Sequence, residues 1–386
     1  MTFKWNDSQA ELFDELKKLG AELQKDISQR DRSGTFDHVG WKGYAELGVH
    51  GLLLPPAYGG GGYDPAQYAH VMEELGFSCP DNGLLMALGA HILAVELPIA
   101  EFGSEEQRAS YLPAMASGQA IGAHAMTEPG TGSDALALTA TARRDGDRYV
   151  LDGHKRYITN APVADVFLVY ATIDQGLGFT GVTAFLVERG DTGIEVTPGS
   201  EKLGLRTASW GDVVLDGCRI PASRRLGAEK QGAAVFARTM TFERALILAP
   251  WLGVMRRELD ECVRYCRRRR QFGKHIGHFQ SVANRLVDMR MRWELARLIT
   301  HSAAAELTGP NPGIHPELSK LYTSEAAVEM FTSALQIYGA LGYTHDGRVE
   351  RNLRDALGMT LSSGASDMQR SIVAGRMGIT WPDRRS

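Results

Sequence analysis

The sequence predicts an α+β chain in three parts: an α-helical domain over residues 1–120, a β domain over 121–230 and a C-terminal four-helix bundle over 231–386. Three observations predict it. Apolar residues recur at helical spacing through the first third. After Gly122 the texture changes to short β-rich runs divided by turn dipeptides. From Gly232 the helical period returns and stays. A chain of 386 residues is also too long for one ordinary core.

The elements follow in order. Ser8-Gln9-Ala10-Glu11 reads as a capping box, and Leu12, Phe13, Leu16, Leu19 and Leu23 follow at helical spacing. Leu47 to Gly62 runs through Leu52-Leu53-Leu54 and Pro55-Pro56 into four glycines, a loop signature without the strand-before, helix-after setting of a dinucleotide fingerprint. Asp64-Pro65 starts a helix carrying Tyr68, Val71, Met72 and Leu75, with Gly76 as its stop. Leu84 to Ala100 is helical, and His91 within it reads as a core or interface histidine. In the middle part, Asp145-Gly146, Asp152-Gly153 and Asp216-Gly217 read as turns between runs at 148–151, 166–170, 182–187 and 213–215. No βαβ alternation is present, which argues against a Rossmann fold. Helical patterns then cover about 232–271, 279–308, 316–341 and 366–378, with Pro250 expected to interrupt the first.

Composition narrows the class. Charged residues make up 23% and hydrophobic residues 44%, values expected of a globular protein. The net charge of −4 gives no reason to expect nucleic acid, and Arg267 to Arg270 closes a helical pattern, where positive charge complements the helix dipole. The cysteines Cys79, Cys218, Cys262 and Cys266 form no CxxC pair, which points to a reducing, cytoplasmic setting without disulfides. No apolar run is expected to approach the roughly 18 residues of a membrane span.

Chemistry concentrates at Ala125-Met126-Thr127-Glu128-Pro129-Gly130-Thr131-Gly132-Ser133-Asp134. Glycines let a backbone approach a ligand closely, and successive N–H groups can cradle a phosphate. Alone, Pro-Gly also marks an ordinary turn. Three more stretches give it context: Tyr157-Ile158-Thr159-Asn160, Arg269-Arg270-Gln271-Phe272-Gly273 and Gln336-Ile337-Tyr338-Gly339. These four, in this order, resemble the acyl-CoA dehydrogenase flavoprotein family over nearly the whole chain.

The resemblance implies FAD. Carried over by position, Met126 and Thr127 would hydrogen-bond the flavin ring, and Gly132 and Ser133 would lie near the pyrophosphate, with Ser133 also near substrate. Tyr157 would pack on the isoalloxazine, and Thr159 would bond near its reactive nitrogen. Arg269, Phe272, Gln280, Gln336, Gly339 and Ala340 would reach the FAD of a second subunit, which implies a homo-oligomer, in the family a tetramer. At the start of the last helix, Ala365 and Asp367 would complete the cofactor site, although Ala365 replaces a usual Thr. Gly375 stands where an Arg is usual, with Arg376 next to it.

Oxidising an acyl thioester to its 2,3-enoyl form removes an α-proton and a β-hydride, so a carboxylate base is needed. Most relatives place a Glu where this chain has Ser363, and serine is a poor base without an activating partner. A second group, including isovaleryl-CoA dehydrogenases, carries it on the first bundle helix, at Glu243 in Phe242-Glu243-Arg244. Phe236, Met240, Glu243 and Ile247 share one helix face, though a helical Glu paired at the surface with an Arg has the same appearance in sequence. Ser363 would then contribute only its backbone N–H, and Arg244 and Gly364 would contact substrate. Glu243, Ser363-Gly364 and residues 158–167 together are similar to prolyl-carrier-protein dehydrogenases of specialised, antibiotic-type metabolism. The resemblance thus implies a carrier-protein-bound prolyl-like group, or alternatively a short branched acyl-CoA. The electron acceptor would be an electron-transferring flavoprotein or oxygen. A flavin-binding relative without dehydrogenase activity is the remaining alternative.

Overall fold

The computed structural model describes residues 7–309, 311–345 and 348–379, with side chains from Ala10 onward. The N-terminal helices are α1 (Asp7–Leu23), α2 (Ile27–Ser33), α3 (His38–Glu46), α4 (Pro65–Ser78), α5 (Asn82–His91), α6 (Leu97–Phe102) and α7 (Glu105–Ala116). The strands are β1 (Gly122–Ala125), β2 (Thr141–Asp145), β3 (Arg148–Thr159), β4 (Val166–Thr172), β5 (Val182–Glu188), β6 (Ile194–Pro198), β7 (Trp210–Pro221) and β8 (Arg225–Leu226). Next come α8 (Gly232–Leu246), α9 (Ala249–Arg268), the small hairpin β9 (Arg270–Gln271) and β10 (Lys274–His275), then α10 (Gln280–Glu306), α11 (His315–Tyr338), α12 (Arg348–Met359) and α13 (Ser366–Arg376). Helices flank a sheet, as the sequence predicts.

Contacts divide the chain into two packed units, 1–64 with 83–243 and 65–82 with 244–386. In the first, eight strands form a sheet of order β6-β7-β3-β2-β4-β5-β8, with β1 pairing parallel to β4. One face is closed by a core containing Val95, Ile99, Leu112, Leu168, Tyr170 and Val235. Asp145-Gly146 makes the β2–β3 turn as expected. The other two dipeptides are not turns: Asp152-Gly153 and Asp216-Gly217 lie inside β3 and β7, where the register shifts. Gly217 has φ of +56° and donates its N–H to Asp152 Oδ1 at 2.7 Å. A bulge needs the same left-handed backbone as a hairpin turn, so Asp-Gly serves both.

In the second unit, α4 packs against α9 through facing glycines. A Cβ on Gly76 would lie 1.8 Å from the Pro250 carbonyl oxygen, and one on Gly253 1.9 Å from that of Glu73. Gly76 is therefore a packing residue, not the expected helix stop, and α4 runs on to Ser78. Pro250 does not kink one long helix. It sits in the first turn of α9, after α8 has ended at Leu246, where a missing N–H costs nothing. Helix α12 went unpredicted, and the bundle expected as four helices holds more. Ser8 falls inside α1, which begins at Asp7, so it does not precede the helix as a cap would.

All four cysteines are free and buried. Helical turns from Asn82 to Phe102, widened to π-helix at Ile92–Glu96, are apolar enough to cross a membrane, with mean hydropathy 1.8 over 18 residues. The expectation that no run approaches that length is corrected. This window is 89% buried inside the fold, the pattern of a core helix. His91 is a core residue: Nδ1 accepts from the Gly122 amide at 2.9 Å, and Nε2 lies 2.9 Å from Glu96.

Gly253→Ala is expected to lower stability by at least about 2 kcal/mol, because added volume in a tight helix contact forces backbone shifts. Chemical denaturation checks it; an unchanged midpoint would mean that the helices can separate freely here.

Candidate functional site

In the first unit, the Met126–Asp134 loop leaves β1 and turns back at once. Glu128 and Thr131 exchange backbone hydrogen bonds at 3.1 and 3.2 Å across Pro129-Gly130. Its anchor is a buried ion pair. Lys155, on β3 and fully buried, donates to Glu128 Oε1 at 2.8 Å and to the Met126 carbonyl at 3.2 Å. Glu128 also accepts from the Thr139 amide at 2.7 Å, the Thr139 hydroxyl at 2.6 Å and the Ala140 amide at 2.9 Å. Burial alone would raise the Glu128 carboxyl, but the Lys155 ammonium and the Thr139 bonds hold it below its usual value. Both ends of the loop are thus fixed while its tip stays open.

The open part matches an anion cradle. Gly132 and Ser133 are exposed, and a Cβ on Gly130 or Gly132 would meet no atom within 4 Å. Protein packing does not demand those glycines, so the loop tip is free for close approach of a ligand. Met126 turns its side chain into the core, and the Thr127 carbonyl accepts the Arg156 amide at 2.8 Å.

Tyr157 is 51% exposed and adopts φ of +59°. A left-handed backbone at a bulky residue is rare and clusters at functional sites. It arises at the irregularity between Lys155 and Ile158, which turns the ring outward. There the ring stacks on Trp210, with centroids 4.9 Å apart and planes at 26°. Trp210 pairs with Thr159 across β3 and β7 and was not singled out in the sequence. A solitary Trp opening a β-rich run was the available signal.

Glu243 lies on α8 and is only 7% exposed. The alternative of a surface glutamate is thereby removed. Phe236, Met240 and Phe242 accompany it, and Tyr170 from β4 lies close enough for the Glu243 charge to add to the rise that burial imposes on its phenol. A buried carboxylate on a helix is a candidate general base.

In the second unit, Arg244 donates to Glu317 Oε1 at 3.2 Å, and Arg376 lies 3.2 Å from Glu317 Oε2. Glu317 is buried, so Arg376 is held as a partner of this carboxylate. Ser363 and Gly364 have φ of +54° and +84°, and the Gln369 side-chain amide donates to both carbonyls, at 3.2 and 2.8 Å. Ala365 is the N-cap of α13 and offers no side-chain cap. Asp367 is exposed in the first turn of that helix. Phe272, 92% exposed with φ of +49°, lines a cleft of about 240 Å³ with Gln271, Phe279, Arg285 and Gln336. Arg269, Gln280, Gly339 and Ala340 are exposed but lie outside that cleft.

The open glycine loop, the exposed Tyr157–Trp210 pair and the buried Glu243 lie in one packed unit. The chain belongs to the acyl-CoA dehydrogenase family. Models of its N-terminal, middle and C-terminal domains match residues 6–119, 123–218 and 230–378. An L-prolyl-[peptidyl-carrier protein] dehydrogenase of Pseudomonas fluorescens is 39% identical, covering 97% of this chain and 99% of the relative. One from Serratia sp. is 34% identical, covering 98% and 99%. Among solved structures, the prolyl acyl carrier protein oxidase AnaB superposes with a TM-score of 0.94 at 39% identity, covering 97% of this chain and all of that one. PigA with FAD and proline gives 0.93 at 34%, covering 98% and 100%. This chain is an FAD-dependent acyl-thioester dehydrogenase.

Ala365→Thr is expected to stabilise the protein by about 1 kcal/mol through a restored N-cap, measurable as a raised thermal midpoint. No change would mean that the cap oxygen cannot reach the α13 amides.

Proposed function

We propose that the enzyme oxidises a prolyl-like aminoacyl group held as a thioester on a carrier protein, in a biosynthetic pathway. The full-length likeness to two L-prolyl-carrier dehydrogenases carries this reading. The buried Glu243 supplies the base that Ser363 cannot.

Glu243 takes the α-proton, whose acidity comes from the thioester carbonyl. Ser363 contributes its backbone N–H to that carbonyl, and Arg244 and Gly364 line the acyl end. FAD, when bound, supplies the acceptor for the β-hydride. The Met126–Ser133 loop, Tyr157 and Thr159 hold the flavin and its pyrophosphate. Arg269, Phe272, Gln280, Gln336, Gly339 and Ala340, with Ala365 and Asp367, complete the cofactor site, the first six toward the FAD of a second copy. In sum the acyl group gains one carbon–carbon double bond and loses two electrons and two protons, one proton to Glu243 and the other with both electrons as the β-hydride. The electron acceptor would be an electron-transferring flavoprotein or oxygen. Free buried thiols fit a reducing cytoplasm.

Self-association has its own support. Val287, Met291, Leu295 and Leu298 recur along one side of α10 and are all exposed. A row of large apolar side chains in water marks an interaction surface, and a homotetramer would cover it.

Three outcomes are expected. Anaerobic bleaching of bound flavin should be rapid with L-prolyl-carrier protein and absent with isovaleryl-CoA; bleaching by the CoA ester alone would reverse the substrate assignment. Glu243→Gln should retain FAD and slow bleaching by about 10²–10⁴-fold; full activity would remove Glu243 as base. Met291→Lys with Leu298→Lys should lower the solution mass from tetramer to smaller species, measured by light scattering; an unchanged mass would place the interface elsewhere.

A further inference from the structure

On β1, Ala123 and Ala125 are fully buried, and His124 between them faces the other way. It pairs with Leu168, so its ring lies on the sheet face that carries Leu168 and Tyr170. There it meets Tyr170 edge-on at 5.2 Å and lies nearly parallel to Phe236 at 6.1 Å and 12°. Phe236 is on α8, the helix of Glu243, and Tyr170 senses the Glu243 charge. About 10 Å of strand separates His124 from Thr127 at the flavin loop. Tyr170 thus links the two, touching the His124 ring directly and sensing the Glu243 charge.

Its Nε2 is buried and has no hydrogen-bond partner among the described residues. The Tyr170 hydroxyl is also buried without a well-formed hydrogen bond, and Thr239 beside it spends its own hydroxyl on the Val235 carbonyl at 2.8 Å. An unsatisfied buried polar atom costs about 1–3 kcal/mol, and a phenylalanine would fill this apolar position without that cost. Burial, with the Lys155 charge on β3 adding to it, pushes the imidazole down to about 4. Near pH 7 it is neutral, and with Nδ1 protonated its Nε2 is a free acceptor.

We propose that His124 is a specificity residue that accepts a hydrogen bond from the α-nitrogen of the aminoacyl substrate. This rests on the prolyl-like reading above. The α-nitrogen is the one polar group that separates a prolyl thioester from its carbocyclic counterpart. A site built to hydrogen-bond a substrate N–H rejects an analogue lacking it, because its own polar atom stays orphaned.

The test uses FAD-loaded enzyme and carrier protein charged with L-prolyl or cyclopentanecarbonyl groups, reading anaerobic flavin bleaching. Calorimetry of free L-proline against cyclopentanecarboxylate gives a readout without turnover. Wild type should prefer the prolyl group. His124→Phe, which keeps a ring against Tyr170 and Phe236, should reduce that preference by about 30-fold or more, and His124→Asn should restore part of it. Both rates falling together with the preference intact would show a merely structural histidine and overturn the proposal. A wild type that bleaches equally with both would also overturn it. A wild type that bleaches with neither refutes the substrate reading itself, before any variant is made.

Discussion

The arrangement in the sheet-bearing unit depends on one buried ion pair. Lys155 and Glu128 are both withdrawn from water, and each would be costly alone. Joined at 2.8 Å they form a brace between β3 and the loop that leaves β1. The ammonium takes the Met126 carbonyl, and the carboxylate takes the Thr139 and Ala140 amides. About a dozen residues of loop are thereby tied at both ends. The glycines between can lie open to solvent because the ends need no support from them. The same Lys155 charge reaches His124 and helps keep it neutral. A single pair thus shapes the Met126–Asp134 loop and adds its charge to the surroundings of His124.

The position of the base is the second constraint. With Ser363 at the last helix, proton abstraction needs a carboxylate from elsewhere. Glu243 has burial, aromatic neighbours and a rigid helix to hold its direction. Gln369 fixes the carbonyls of the Ser363–Gly364 turn, and the role proposed for that turn needs only its backbone.

Much of this was legible in the sequence because periodicity and turn chemistry are local. The helical thirds, the β-rich middle and the Phe236–Met240–Glu243 face all followed from spacing. What failed was local chemistry with two structural uses. Asp-Gly at 152 and 216 made bulges in long paired strands, and Gly76 served a helix crossing. Lys155, Trp210, His124 and Tyr170 could not be found from spacing, since their roles depend on partners distant in the chain. The burial of Glu243 was likewise a tertiary fact: a helical Glu beside an Arg reads the same whether solvated or enclosed.

The proposed reaction breaks the α carbon–hydrogen bond of a carrier-bound prolyl thioester with the chain's own carboxylate. The most direct measurement compares anaerobic flavin reduction by carrier-bound L-proline with the α-hydrogen as protium and as deuterium. A primary isotope effect well above unity is expected. A rate indifferent to the isotope would contradict it, placing the α-proton transfer outside the step that reduces the flavin.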